Sequence, residues 1–148
     1  MMNSDMSREM SRLDVARGAL KGRARCVAYN DAGIQVSEER GIRPMILWLE
    51  EDAEFLRGAS VADKIVGRAA AMIMIYAGVK EVYASVISNG ALEVLLDAGV
   101  NVIYSMTAIA ISNRRGDGIC PMERTVAPIS DPEEAYKVLR EKVLSMNN

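Results

Sequence analysis

Apolar positions along this chain fall into short runs punctuated by glycine, and their spacing predicts alternating helices and strands. Residues 1–10 are polar and read as a flexible N-terminal tail, followed by a single domain over 11–148. Ser11 with Asp14 three positions later resembles a helix-capping box, and Leu13, Val15, Ala16, Ala19 and Leu20 form an apolar stripe at helical spacing. Residues 25–29 and 34–37 are β-rich and flank Asn30-Asp31-Ala32-Gly33, a turn signal, so a hairpin is expected. Residues 41–57 read as a helix with Pro44 in its first turn and Met45, Ile46, Leu49, Ala53 and Leu56 on its buried face. Gly58 breaks that pattern. Ser60 then opens a strong predicted helix over 60–77, which stops at Gly78.

The second half alternates more clearly. Residues 81–87 predict a strand, Ser88-Asn89-Gly90 a cap and turn, 91–98 a helix closed by Gly99, and 101–106 another strand. A looser segment, 107–113, leads into the loop Arg114-Arg115-Gly116-Asp117-Gly118. Cys120-Pro121-Met122-Glu123 reads as the entry to a short helix. Ser130-Asp131-Pro132-Glu133 opens the last helix, with Ala135, Tyr136, Leu139 and Val143 on one face. Such alternation predicts an α/β fold of three layers, α/β/α, with a mixed sheet of about five strands and right-handed crossovers.

Composition narrows the chemistry. Half of the 148 residues are apolar and 26% are charged, an ordinary globular balance. The net charge of -2 gives no electrostatic case for a nucleic-acid or anionic-membrane surface. The longest apolar stretch, 69–79, is about half the ~20 residues that span a bilayer, so it reads as a buried helix. The N-terminus lacks the apolar run of a signal peptide, and two cysteines, Cys26 and Cys120, make no disulfide framework. A reduced, cytoplasmic protein is expected. Histidine is absent, which excludes a histidine-based catalytic centre and the zinc site of a standard deaminase; no metal and no cofactor are expected.

The stretch from Gly58 to Tyr104 resembles the cytidine deaminase fold in its rhythm of elements. That fold carries a zinc ligand and a glutamate on His-Ala-Glu at one helix start, and two cysteines on Pro-Cys-x-x-Cys at the next. The resemblance sets Val61-Ala62-Asp63 in the first place, so Val61 stands for the histidine and Asp63 for the glutamate. It sets Ser88-Asn89-Gly90-Ala91-Leu92 in the second, so Asn89 and Leu92 stand for the cysteines. Four segments are similar to the family catalogued as domain of unknown function 1893, a resemblance that covers roughly residues 11–142. They are Gly58-Ala59-Ser60-Val61-Ala62-Asp63-Lys64 with Gly67, Val82-Tyr83-Ala84 with Ile87-Ser88, Asn113-Arg114 through Gly116-Asp117-Gly118 to Cys120-Pro121-Met122-Glu123, and Asp131-Pro132-Glu133-Glu134-Ala135. That family resembles deaminases in fold and lacks an established activity, so the likeness implies a structure and no reaction.

The candidate site residues each carry two readings. Asp63 stands either in a capping box with Ser60, or as a general base whose pKa burial lifts toward neutrality. Lys64 is a solvated side chain or a ligand contact. Cys120, before Pro121 at a helix start and near Arg114 and Arg115, is a nucleophile or a small packed residue; Cys26 belongs to the core. Arg114, Asp117 and Glu123 make either a solvated charged loop or one wall of an anion site. The facing wall would be the predicted helix starts at Ser60 and at Ser88-Asn89, whose amides favour phosphate or carboxylate. The expected function is binding of a small anionic metabolite or nucleotide-like ligand, with Asp63 and Cys120 catalytic. The rival expectation is a non-catalytic binding or oligomerisation module, a homo-oligomer and simplest as a dimer, with its short apolar strands and Trp48 at an interface.

Overall fold

In the computed structural model, which describes residues 11–113 and 115–146, most of these signals become elements. The tail over 1–10 and Arg114 lie outside the described residues. Helix α1 (Arg12–Ala19) is capped by the Ser11 hydroxyl, which accepts the Asp14 amide at 3.1 Å. The hairpin is β1 (Cys26–Asn30) and β2 (Gly33–Ser37). Its turn is held by the Asn30 side-chain oxygen, which accepts the amides of Ala32 at 2.7 Å and Gly33 at 3.2 Å. Helix α2 (Arg43–Glu51) is shorter than expected, because the chain turns extended at Asp52 and runs on in turns to Gly58.

The main departure is at residues 60–77. They form strand β3 (Ser60–Val66) and helix α3 (Arg68–Ala77), not one helix. Ser60 and Asp63 make no capping box; the Ser60 hydroxyl instead donates to the Glu81 carboxylate. The remaining elements are β4 (Glu81–Ser88), α4 (Asn89–Asp97), β5 (Asn101–Ala108), α5 (Pro121–Val126) and α6 (Pro132–Ser145). Ala135, Tyr136, Leu139 and Val143 are the buried face of α6, as their spacing predicts.

The five strands make one mixed sheet in the order β2-β1-β3-β4-β5, with β1 antiparallel to both neighbours and β3, β4 and β5 parallel. Helices cover both faces. Leu13 and Ala16 of α1 pack on Val27, Ala62 and Tyr83 of the sheet. The larger core, with Met45, Ile46, Met72, Met74, Leu95 and Leu139, fills the other face beneath the remaining helices. Central β3 is therefore buried on both sides from Ser60 to Asp63, with only Lys64 and Ile65 near its end reaching solvent, which removes the alternation that marks a half-exposed strand. Trp48 packs edge-on to Phe55 at 6.1 Å and against the core, the role of a packing anchor. Parallel β3 and β4 end level, Val66 beside Ile87, so α3 and α4 both start at one edge of the sheet.

Candidate functional site

A cleft of about 1110 Å³ opens at that edge, where the parallel strands end. Ligands in open α/β sheets sit at such edges because the strand ends release loops and helix starts there. The floor is Asp63, Val86 and the first turn of α3; the walls come from the segment before α2, the loop after β5, α5 and the end of α6. A second, smaller groove of about 320 Å³ runs along α6 past Lys137 and Glu141 and gathers none of the motif residues.

Asp63 reaches the cleft from mid-strand. Its neighbours across the sheet are Cys26 on β1 and Ala84 on β4, so its side chain leaves the sheet on the larger-core face. It is 6% exposed. Burial raises its carboxyl pKa to about 7, against the lowering effect of the Ile65 and Lys64 amides, the Cys26 thiol and the Arg25 charge. Loss of hydration outweighs those four favourable partners, so the carboxyl is poised between its two protonation states near neutrality. The same burial, with Asp63 opposite, pushes the Cys26 thiol up.

The neighbouring Lys64 goes elsewhere. Strand alternation turns it toward the α1 side, where its ammonium donates to the Gly22 carbonyl at 3.1 Å; at the cleft it supplies wall, not charge. Ser88 is buried and spent on α4, its hydroxyl accepting the Ala91 amide at 3.1 Å. Asn89 is exposed at the first position of α4, and neither residue lines the cleft. The anion site expected between two helix starts is thus absent in that form, because Ser60 starts a strand.

The true start of α3 is already occupied. Glu123, from α5, accepts the Arg68 amide at 2.8 Å through one carboxylate oxygen and the Ala69 amide at 2.8 Å through the other. The chain's own carboxylate thus neutralises the partial positive charge of this helix end. Arg68 also donates through its guanidinium to the carbonyls of Val126 and Ile129, which ties α5 down behind Glu123.

The loop before α5 resolves the charged cluster. Asn113 accepts the amides of Gly116 at 2.8 Å and Asp117 at 3.3 Å, and its amide group donates to Asp117 at 3.0 Å. Asp117 is exposed, pairs with Arg115 at 3.1 Å and stays outside the cleft, whereas Arg115 lines it. Cys120 stands at the N-terminal cap position of α5 without a side-chain capping bond, is half-buried and also lines the cleft. The fold thus brings together Asp63, Cys120 and Glu123 and leaves out Ser88, Asn89 and Asp117. Sequence reasoning missed Arg25, just before β1, Arg40, in the segment before α2, and Arg43, at the first position of α2. No local signal marks them, since Arg25 is placed by the antiparallel register of β1 with β3, and Arg40 and Arg43 by the way the chain after β2 packs over the strand ends.

Fold and cleft together define a mixed α/β domain with an arginine-lined cleft at its strand ends. The chain belongs to the family Domain of unknown function (DUF1893), whose profile matches residues 16–143. The crystal structure of a DUF1893 family protein (TM1506) from Thermotoga maritima is similar at 28% identity and a TM-score of 0.81, covering 91% of this chain and 92% of that one. A diaminohydroxyphosphoribosylaminopyrimidine deaminase/5-amino-6-(5-phosphoribosylamino)uracil reductase from Thermotoga maritima matches at 15% identity and a TM-score of 0.44, covering 71% of this chain and 34% of that one. No curated protein shows a significant match to the chain. Among the described residues, no helix is long and apolar enough to cross a membrane.

Proposed function

We propose that the cleft binds a small anionic metabolite or nucleotide-like ligand, and that Asp63 exchanges a proton with it. The observation that carries this reading is the buried Asp63 carboxyl, whose pKa of about 7 lies where a general acid or base is most effective. Arg25 and Arg40 on the walls support the choice of an anion, because guanidinium groups suit carboxylate and phosphate. The ligand's charge meets these arginines and not the amides of α3, which Glu123 holds. Cys120, on the same cleft, is the candidate nucleophile. On this reading the scaffold is deaminase-like and works without zinc, but Val61-Ala62-Asp63 lie on β3 and the helix starts only at Gly67-Arg68, so Asp63 does not stand at a helix start as the deaminase glutamate does.

The rival reading, a non-catalytic binding module, draws support from the Glu123 carboxylate that fills one helix start. A panel of nucleotides and of phosphorylated and carboxylated metabolites, screened by thermal shift and followed by calorimetry, tests both. The expected hit loses about tenfold or more in affinity with Arg40→Ala, the scale of one charge-assisted contact. Its affinity changes across neutral pH in the wild type and not in Asp63→Asn. A panel without hits, or a hit indifferent to both variants, rejects the proposal. A hit that is never turned over, with Cys120→Ser binding it unchanged, selects the binding module.

A further inference from the structure

Strand β5 ends the sheet on one side, and nothing among the described residues covers it. It is eight residues long, equal to its neighbour β4, and carries no charge and no proline from Asn101 to Ala108. Proteins that leave a strand edge in water normally blunt it with a lysine, a proline, a bulge or shortness. Here the edge is long and apolar instead. Ile103 is 52% exposed, Tyr104 43% and Met106 61%. Ile109, just past the strand, and Leu96 on the adjoining α4 are exposed as well. The register divides them between two rows. Val102, Tyr104 and Met106 share the face of Val82, Ala84 and Val86, while Ile103 shares that of Tyr83.

We infer that β5 is the seam of a homodimer, in which β5 pairs antiparallel with β5 of a second copy and extends the sheet across both chains. Area and charge both point to a second copy. The five exposed side chains offer on the order of 600 Å² of apolar surface, taking ~200 Å² for a large side chain fully in water. With the strand backbone added, that approaches the ~800 Å² per partner of a standard interface. An uncharged strand sets no like charge against itself in a copy of the same sequence, and the net charge of -2 leaves little repulsion between whole chains. A twofold antiparallel pairing also keeps each row on its own face. The Tyr104 row meets its copy and the Ile103 row meets its copy, so the contact closes at two chains.

The other edge, β2, is a weaker candidate. It has five residues, follows Asp31 and runs directly into Glu38 and Glu39, the charged setting that β5 lacks. Pairing β5 with β2 of another copy would give an open-ended chain of molecules.

Sedimentation of the full chain at tens of micromolar is expected to give a dimer. Met106→Lys and Ile103→Lys should each weaken it by about 100-fold or more, with unchanged circular dichroism, because each buries a new charge twice at the seam. Val36→Lys on β2 should leave it intact. Amide exchange of the wild type should show the outward-facing amides of β5 slowing as protein concentration rises, a readout that stands even where a lysine variant misfolds. A monomeric wild type, a dimer indifferent to both β5 variants, a dimer broken by Val36→Lys alone, or β5 amides that exchange at one rate at every concentration would overturn the assignment.

Discussion

The Glu123 carboxylate lies so close over Gly67 that a β-carbon there would stand 2.6 Å from one of its oxygens. Glycine at 67 is thus required by the approach of the carboxylate, which spans the first two amides of α3. Glu123 is the movable partner, so an added methyl displaces it instead of distorting backbone. Gly67→Ala is therefore expected to cost what losing the cap costs, about 1–2 kcal/mol. Glu123→Ala should cost a similar amount, and the double variant no more than either. Chemical denaturation of the four proteins checks this; additive losses would show that the two residues act independently.

Asp63 makes stability depend on pH in a stated direction. Its folded pKa is about 7, above the ordinary 3.8, so the folded state holds a proton that the unfolded chain releases. The contribution is fully present below about pH 4 and is lost as pH rises through about 7. Asp63→Asn removes the loss. At about pH 8 it should stabilise the protein by a few kcal/mol, since a tenfold change in proton affinity between the folded and unfolded chain is worth about 1.4 kcal/mol. Near pH 4 the two proteins should melt together. Thermal melts across that range decide it, and a gap between them that does not widen with pH would refute the raised pKa.

The two cysteines should differ sharply toward a thiol reagent. Cys26 is buried and its thiol is pushed up, whereas Cys120 is half-buried on the cleft. Native protein is expected to take one label per chain, at Cys120, and the second upon unfolding. Mass spectrometry of labelled peptides reads this directly. Labelling of Cys26 in the native state would mean that the β1–β3 core opens far more than its packing implies.

Ser88→Ala separates a cap from a ligand contact. The hydroxyl is committed to the Ala91 amide, so the substitution should cost about 1 kcal/mol in stability and leave cleft binding unchanged. Weaker ligand binding at unaltered stability would restore Ser88 to the site.

Much of the fold was legible because its signals are local. Ser11, Asn30, Ser88 and Asp131 each bond an amide two or three residues ahead, and such signals survive outside any tertiary context. The hairpin, β4, α4, β5 and α6 follow from them and from their apolar spacing. The candidate cleft was legible in part: Asp63, Cys120 and Glu123 do line it, and burial raises the Asp63 carboxyl pKa to about 7. Lys64, Ser88, Asn89 and Asp117 do not present their polar groups to it, because strand alternation, the start of α4 and a loop ion pair direct them away.

By itself, then, the sequence determined an α/β chain without histidine, with its turns, caps and amphipathic helices in place. The tertiary structure alone decided that residues 60–66 are a strand. Their alternation is masked because β3 is central and its first four residues are buried on both faces, and Ser60 with Asp63 imitates a helix start three residues apart. From that one decision follow the position of Asp63 opposite Cys26, the start of α3 at Gly67 and the seat of Glu123 upon it. The first and the last are contacts between residues distant in the chain, set by strand register and sheet order, and no local pattern encodes either.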